Sequence, residues 1–498
     1  MSNRSHSVIE EPERHDLEDL YLPEFLRQQR WFGAKNARVT RVGMHTLGVL
    51  KREEETYSLN ILDVALDSGE THQYFLPLSA GWGDPNLSRM GVARFDAAGD
   101  GAFARNLVNA VWQGQVIDAP AGYLQFTRSG MWESISDNAT VRSVGRDQTN
   151  NCFIVGQSVV LKIYRRLWRG PQPELEIARF LREAGYRNTP SLLGMVEYRP
   201  VEGEPITLAA LFAFVRNEGD CWNVIVDALD HALEDIALAR SREPSVPYVF
   251  PVDLAALLGQ RTAEMHRAFA IGTTDGAFAP EPVTSEDIIA WVAAAREEAR
   301  RGFLTLERLG VSVDDPIKEK IQLVHNSRPA IEKRLAALAE TSNSGAKTRI
   351  HGDYHLGQVL ISDKDIVIID FEGEPTRTPT ERRKKTSPLR DLAGMLRSFD
   401  YAAWSALEGL ADRSAELPQR AIDAASGWRD RATHDFLEMY KATAQGMASY
   451  PNDEAARKQL EIFLMQKVFY EISYEAANRP NWLSIPLHGV LDLLAWTG

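Results

Sequence analysis

The sequence predicts an α+β protein of two lobes behind a small N-terminal cap, and three patterns in its 498 residues carry that prediction. Alternating runs rich in β-branched and aromatic residues dominate from Val39 to Phe214. Long helical periodicity takes over from Asn217, and one strand–turn–strand unit between Arg349 and Phe371 interrupts it. A chain of this length exceeds what one hydrophobic core usually supports. The reading therefore divides it into a cap at 1–100, a β-rich lobe at 101–215 and a helical lobe at 216–498.

Each element follows in order. Leu22 to Phe32 reads as a short amphipathic helix stopped by Gly33. YSLNILDVAL and THQYFLPL are strands joined by the turn Asp67-Ser68-Gly69, and GWGDPN at 81–86 is a loop out of the cap. Gly101 to Gln113 is helical in period. TVRSVGRD, NCFIVG and SVVLKIYRR are three strands, with Gly156-Gln157 as a hairpin turn between the last two. A helix from Glu174 to Ala184 closes at Gly185, and two further strands flank Gly203. Ser387 and Pro388 form an N-cap and first helical residue ahead of the apolar face Leu389, Leu392, Leu396, Phe399.

Composition bounds the partners. Hydrophobic residues at 44% and charged residues at 25% are ordinary for a globular chain. A net charge of −13 argues against nucleic acid or an anionic membrane as the main partner. Two cysteines provide no disulfide framework and fit a reducing compartment. The polar, acidic start lacks the pattern of a signal peptide, and no apolar run reaches the ~18 residues of a membrane span, so the cytoplasm is expected.

The most informative segment is HGDYHLGQ at 351–358, followed by VLISDKDIVIIDFEGEP. Two short apolar strands around the turn Ser362–Asp365 bring their outer ends together, so Asp353 and Gln358 approach Asp370. Phosphoryl transfer from ATP needs a carboxylate to accept the hydroxyl proton and oxygen ligands for Mg²⁺. Asp353 suits the base, while Gln358 and Asp370 suit the metal. His351 and His355 stand four apart, but the flanking glycines make a helical zinc site a poor fit. In the β-rich lobe, Lys162 in VVLKIY is placed to hold phosphates, braced by a glutamate of the next helix, Glu174 or Glu176. Late in the chain, Lys467, Tyr470 and Tyr474 share one helix face, which is either a sugar-facing set or a buried aromatic stripe with a snorkelling lysine.

HGDYHLGQVL, DFEGEP and SPLRDLAGMLRSFDYAA resemble the signatures of bacterial maltokinases, including those fused to trehalose synthase. RQQRWFGAK at 27–35 is similar to the start of their cap domain, and LGQRTAEMHRAFA at 258–270 to a helix of their helical lobe. The parent group is similar to aminoglycoside phosphotransferases and, through them, to protein kinases. The resemblance implies a bilobal protein-kinase-like fold and transfer from ATP to maltose, giving maltose 1-phosphate for α-glucan synthesis from trehalose, with trehalose synthase as a possible partner. It implies Asp353 as base, Gln358 and Asp370 on Mg²⁺ with Glu372 as a further carboxylate, and Glu176 as the partner of Lys162. The phosphate loop would be Asp147-Gln148-Thr149-Asn150, which departs from the family's usual residues, and adenine would meet the backbone near Phe214 and Val215. Lys467, Tyr470 and Tyr474 would hold the sugar, with His355 and Arg390 as lesser contacts. Glucosamine kinases share much of the scaffold and are the rival within the class. A catalytically inert binding partner of trehalose synthase is the rival outside it, against which Lys162, Asp353, Gln358 and Asp370 all speak.

Overall fold

This computed structural model describes residues 11–35, 37–52, 55–79, 96–144, 150–238, 254–309, 315–375, 377–413 and 417–495. The expected loop at 81–86 and the phosphate-loop positions 147–149, Gln148 and Thr149 among them, lie outside the described residues. The chain divides into two compact units, Met1–Arg179 with Pro190–Val215, and Phe180–Thr189 with Arg216–Gly498.

Among the described residues the first unit holds two sheets. Strands β1 (Val39–Arg52), β2 (Glu55–Leu66) and β3 (Thr71–Ser79) form an antiparallel meander. The second sheet contains β4 (Val116–Ala119), β5 (Gly122–Arg128), β6 (Val141–Val144), β7 (Asn151–Val155) and β8 (Val159–Ile163). The two-residue β9 (Arg166–Leu167) returns to pair with β3, while β10 (Leu192–Pro200) and β11 (Ile206–Ala213) complete the second sheet. Its order is β4-β5-β10-β11-β8-β7-β6, antiparallel throughout. The hairpin β4–β5 was not anticipated from sequence. Its first strand is only four residues long and alternates exposed and half-buried residues, with Val116 61% exposed.

The helix expected at Leu22–Phe32 is corrected to Leu22–Gln28, preceded by a π-helical turn at Leu17–Tyr21. Gln29 adopts an extended backbone. Packing explains the early stop: Trp31 and Phe32 turn inward onto Tyr74, with ring centroids 5.5 and 5.4 Å away. The Arg165 guanidinium lies 4.1 Å from the Trp31 ring. Burying the Phe32 ring and part of the Trp31 ring outweighs one more turn of exposed helix.

Helices dominate the second unit. Its hairpin pairs Val359–Ser362 with Asp365–Ile368, and Asp363 and Lys364 both have positive φ, as a two-residue type I′ turn requires. Its backbone is tied on both sides: Ile361 N–H donates to the Gly219 carbonyl at 3.0 Å and Ile368 N–H to that of Asn188 at 2.8 Å. Arg261 grips Asp365 with two parallel bonds of 2.8 and 2.9 Å. Helices Leu254–Phe269 and Gln419–Ala444 lie in close contact. Among the described residues no helix is long and apolar enough to cross a membrane.

Gly259 sets that close helix approach, because a Cβ there would overlap the Phe436 carbonyl. Gly259→Ala is expected to cost roughly 1–3 kcal/mol, visible as a lowered Tm. An unchanged Tm would show that the two helices can separate freely.

Candidate active site

The loop His351–Gly357 enters the hairpin, and a buried carboxylate beneath it fixes its shape. Asp391 accepts from His351 N–H at 2.8 Å, Gly352 N–H at 2.9 Å and His266 Nε2 at 3.0 Å. His266 is fully buried and its Nδ1 meets the Tyr440 hydroxyl at 2.9 Å. The two bonds hold the imidazole ring between Tyr440 and Asp391. Burial pushes the Asp391 carboxyl up, but His266, His351 and the Gly352 N–H outweigh it and hold it below its ordinary value. Asp391 thus braces this loop from below.

Two more contacts pin the same loop. Tyr354, buried, places its hydroxyl 2.8 Å from Thr262, and Leu356 N–H donates to Ser398 Oγ at 3.1 Å. Gly394 admits the loop, since a Cβ there would lie 2.5 Å from the Tyr354 carbonyl oxygen. His351 donates from Nε2 to the Ile369 carbonyl at 2.9 Å, linking the loop to the far end of the hairpin. Asp353, between these anchors, is half-buried.

Across the hairpin, Gln358 Nε2 donates to Asp370 Oδ2 at 3.1 Å, so two of the residues expected near the metal are brought together. Asp370 sits at φ +65°, a costly left-handed conformation for a non-glycine residue. Glu372 is half-buried, 3.6 Å from Arg382. Asp370, Glu372 and the side-chain oxygen of Gln358 are of the donor type that Mg²⁺ takes.

Two adjoining cavities meet at Asp353, of about 320 and 610 Å³. Both are lined by Asp353, His355, Glu374, Lys467 and Tyr470; the smaller adds Arg390 and the larger Tyr474. The expected sugar contacts therefore do converge, and the buried-stripe alternative for helix Asp453–Asn478 fails on its exposed face, where Tyr474 is 41% exposed. Tyr470 and Tyr474 stack with centroids 6.1 Å apart. Burial, reinforced by Glu374, pushes the Tyr470 phenol up to about 12, so it remains a donor at neutral pH. His355 Nδ1 accepts the Gly357 N–H at 3.1 Å. Burial lowers the His355 ring below its ordinary value despite Asp353 beside it, keeping it neutral with its proton on Nε2.

Glu374, within the EGEP run, was given no role from sequence. Its carboxylate lies 3.7 Å from Arg390, 3.9 Å from Lys467 and 2.5 Å from Arg377. Burial would raise it, but Arg390, Lys467 and Arg377 hold it below its usual value. The signal was present in its position, four residues after Asp370.

In the first unit, the expected pairing of Lys162 with Glu176 is corrected. Lys162 Nζ lies 3.0 Å from Glu174 Oε2, which also accepts from the Tyr164 hydroxyl at 2.7 Å. Residues two apart on a helix project about 200° apart, and the buried Glu174 is the one on the lysine's side. Glu176 is half-buried. Asn150 uses its side-chain oxygen to accept the Arg165 N–H at 3.3 Å. The Phe214 N–H is engaged by the Ser158 carbonyl at 2.9 Å, so of its backbone groups only the carbonyl could serve a ligand. Val215 ends the unit's second segment. In the basic run 382–385, Arg382 donates to the carbonyls of Arg377 and Pro375, and Lys385 to those of Gly276 and Ala279.

The profile of the Phosphotransferase enzyme family matches residues 140–428, more than half of the chain. The chain belongs to this family. The Maltokinase N-terminal cap domain profile matches residues 25–103 of the same phosphotransferase. A glucosamine kinase of Streptacidiphilus jiangxiensis is 28% identical over 87% of this chain and 91% of its own length. Another from Mycolicibacterium smegmatis (strain ATCC 700084 / mc(2)155) is 28% identical over 69% of this chain and 77% of its own. Among solved structures, a glucosamine kinase (crystal form B) superposes with TM-score 0.66 at 21% identity, covering 95% of this chain and 100% of the other. A glucosamine kinase in complex with glucosamine, ADP and inorganic phosphate gives TM-score 0.63 at 22% identity over 95% of this chain and 99% of the other. That agreement establishes the protein-kinase-like α+β fold expected from sequence.

Removing the brace has a defined consequence. Asp391→Ala leaves two loop N–H groups and the buried His266 without their acceptor, an expected loss of about 3–5 kcal/mol. Thermal denaturation and turnover should fall together. Wild-type stability would mean that the loop holds its shape without Asp391.

Proposed function

We propose that this phosphotransferase is an ATP-dependent sugar kinase that phosphorylates maltose to maltose 1-phosphate. The observation that carries the reading is the convergence of Asp353, His355, Lys467 and Tyr470 on one cavity whose loop is held rigid from below. Asp353 accepts the proton of the attacking sugar hydroxyl. Neutral His355 and the protonated Tyr470 orient that hydroxyl and its neighbours, and Lys467 supplies positive charge beside them. Lys162, anchored by Glu174, serves the nucleotide phosphates. Gln358, Asp370 and Glu372 would hold Mg²⁺, which when bound neutralises phosphate charge. A reading with ATP and Mg²⁺ fits the cytoplasm, and trehalose synthase is the enzyme class that would supply maltose from trehalose.

Glucosamine is the second reading for the acceptor. It is favoured by the glucosamine kinase relatives and by the carboxylates Glu298 and Glu374 in the smaller cavity, which suit an ammonium group.

An ADP-release assay with maltose, glucose, glucosamine and trehalose separates the two. Maltose is expected to give the highest kcat/KM, and a preference for glucosamine would replace the first reading with the second. In the same assay Asp353→Asn should lower kcat by roughly a hundredfold or more, with Tm unchanged. Near-normal turnover in that variant would move the base elsewhere.

A further inference from the structure

One helix holds both the loop that carries Asp353 and the helix that carries Lys467 and Tyr470. From helix Leu389–Arg413, Asp391 accepts the N–H groups of His351 and Gly352, and Ser398 Oγ accepts that of Leu356. The same helix grips helix Asp453–Asn478 through two further side chains. Arg397 Nε donates to Glu471 Oε2 at 2.8 Å, with Nη2 2.7 Å from the same oxygen. One turn on, the Tyr401 hydroxyl donates to Glu475 at 2.9 Å. Helical spacing divides these tasks. At 100° per residue Asp391, Gly394 and Ser398 fall within about 60° of one another, and Arg397 and Tyr401 take the adjoining flank. All five belong to the run SPLRDLAGMLRSFDYAA.

The Arg397–Glu471 pair is deeply set, with Arg397 3% and Glu471 6% exposed. A lone charge at that depth is costly, so each requires the other. The guanidinium is fixed from further directions as well. Its Nη1 donates to Asp400, whose other oxygen lies 3.5 Å from Arg429, and Arg429 reaches Asp492 at 2.6 Å. Helix Ser484–Ala495 closes over it at Gly489, where a Cβ would overlap Arg397 Nη1 and come within 3.0 Å of Val468, the neighbour of Lys467. Arg397 and Glu471 line the larger cavity, whereas Asp400 and Gly489 line neither.

We propose that Arg397 is a positioning residue for the sugar. Through Glu471 it sets where helix Asp453–Asn478 stands relative to the loop at 351–357, and with that the placement of Lys467 and Tyr470 about Asp353. The proposal rests on the sugar-kinase reading and adds to it a control on sugar alignment that acts through Glu471 rather than by contact with the sugar. Misplacing reacting groups by about 1 Å can cost roughly a hundredfold in rate. Lys162 belongs to the first unit, so the use of ATP is expected to be spared.

The test is steady-state kinetics with whichever of maltose and glucosamine the wild type uses better. Gly489→Ala, Asp400→Asn and Arg397→Lys are compared with it, each assayed well below its own Tm. Gly489→Ala crowds the guanidinium from a position outside both cavities. Asp400→Asn, nearly identical in shape, does so by removing a charge and keeps the test open should Gly489→Ala fail to fold. Lysine keeps the charge of Arg397 but lacks the fork that engages Glu471 and Asp400 together. Each variant is expected to lower kcat/KM for the sugar roughly tenfold, with KM for ATP within about twofold of the wild type. A purely structural role would lower Tm and leave the constants of the folded enzyme unchanged. Wild-type sugar kinetics in folded Gly489→Ala and Asp400→Asn overturn the proposal, and a loss confined to Arg397→Lys does the same, since it would mean direct contact with the sugar. An equal rise in KM for ATP also overturns it. In those cases the sugar-kinase reading stands. A wild type that phosphorylates no sugar removes that reading, and the proposal falls with it.

Discussion

A single carboxylate under the loop at 351–357 sets the geometry on which the site depends. Asp391 is 2% exposed, and an ionised group so deeply buried is tolerable only when donors replace the water it has lost. Three donors do so, two of them from the backbone of the loop itself. Asp391 also lies in the first turn of helix Leu389–Arg413, where the unpaired N–H groups and the helix dipole favour a negative charge. Ser387, whose oxygen receives the Leu389 N–H at 3.4 Å, starts the helix at the place that puts Asp391 in that turn. The position of Asp353 two residues beyond His351 is thus a consequence of where a helix begins elsewhere in the sequence.

The hairpin extends the same constraint. His351 couples the loop to Ile369, and the next residue, Asp370, is held at positive φ. A strained aspartate persists only where its surroundings over-determine it. Here the ladder bonds of the hairpin, the Gln358 amide and the ring of Phe371 against His351, 4.7 Å between centroids, supply that determination. Loop and strained residue occur within the twenty residues 351–370, the brace follows at Asp391, and the helix carrying Lys467 and Tyr470 closes the pocket from the far end of the chain.

Much of this was legible in the sequence because the signals are local. HGD, five residues to Gln358 and a two-strand hairpin to Asp370 specify their own geometry, and Gly156-Gln157 specified its turn, with both residues at positive φ. What escaped depends on partners distant in sequence. Glu174 and Glu176 are equivalent by pattern, and only the position of Lys162 on β8 and of Tyr164 just beyond it chooses between them. The helix at Leu22 ends early because Tyr74 captures Trp31 and Phe32. Arg382 and Lys385 donate hydrogen bonds to carbonyl groups that folding brings close, contacts the basic run itself does not announce. Glu374 is one carboxylate among several until Arg390, Lys467 and Arg377 are seen around it.

The central claim is that the loop held by Asp391 presents Asp353 to a sugar hydroxyl that accepts phosphate. The most direct measurement is phosphorus NMR of the reaction mixture with ATP, Mg²⁺ and maltose, integrating each phosphorus species over time. The account predicts a new sugar phosphomonoester, coupled to the anomeric proton, accumulating one for one with ADP. ADP accompanied by inorganic phosphate alone, at the same rate with and without sugar, would contradict it.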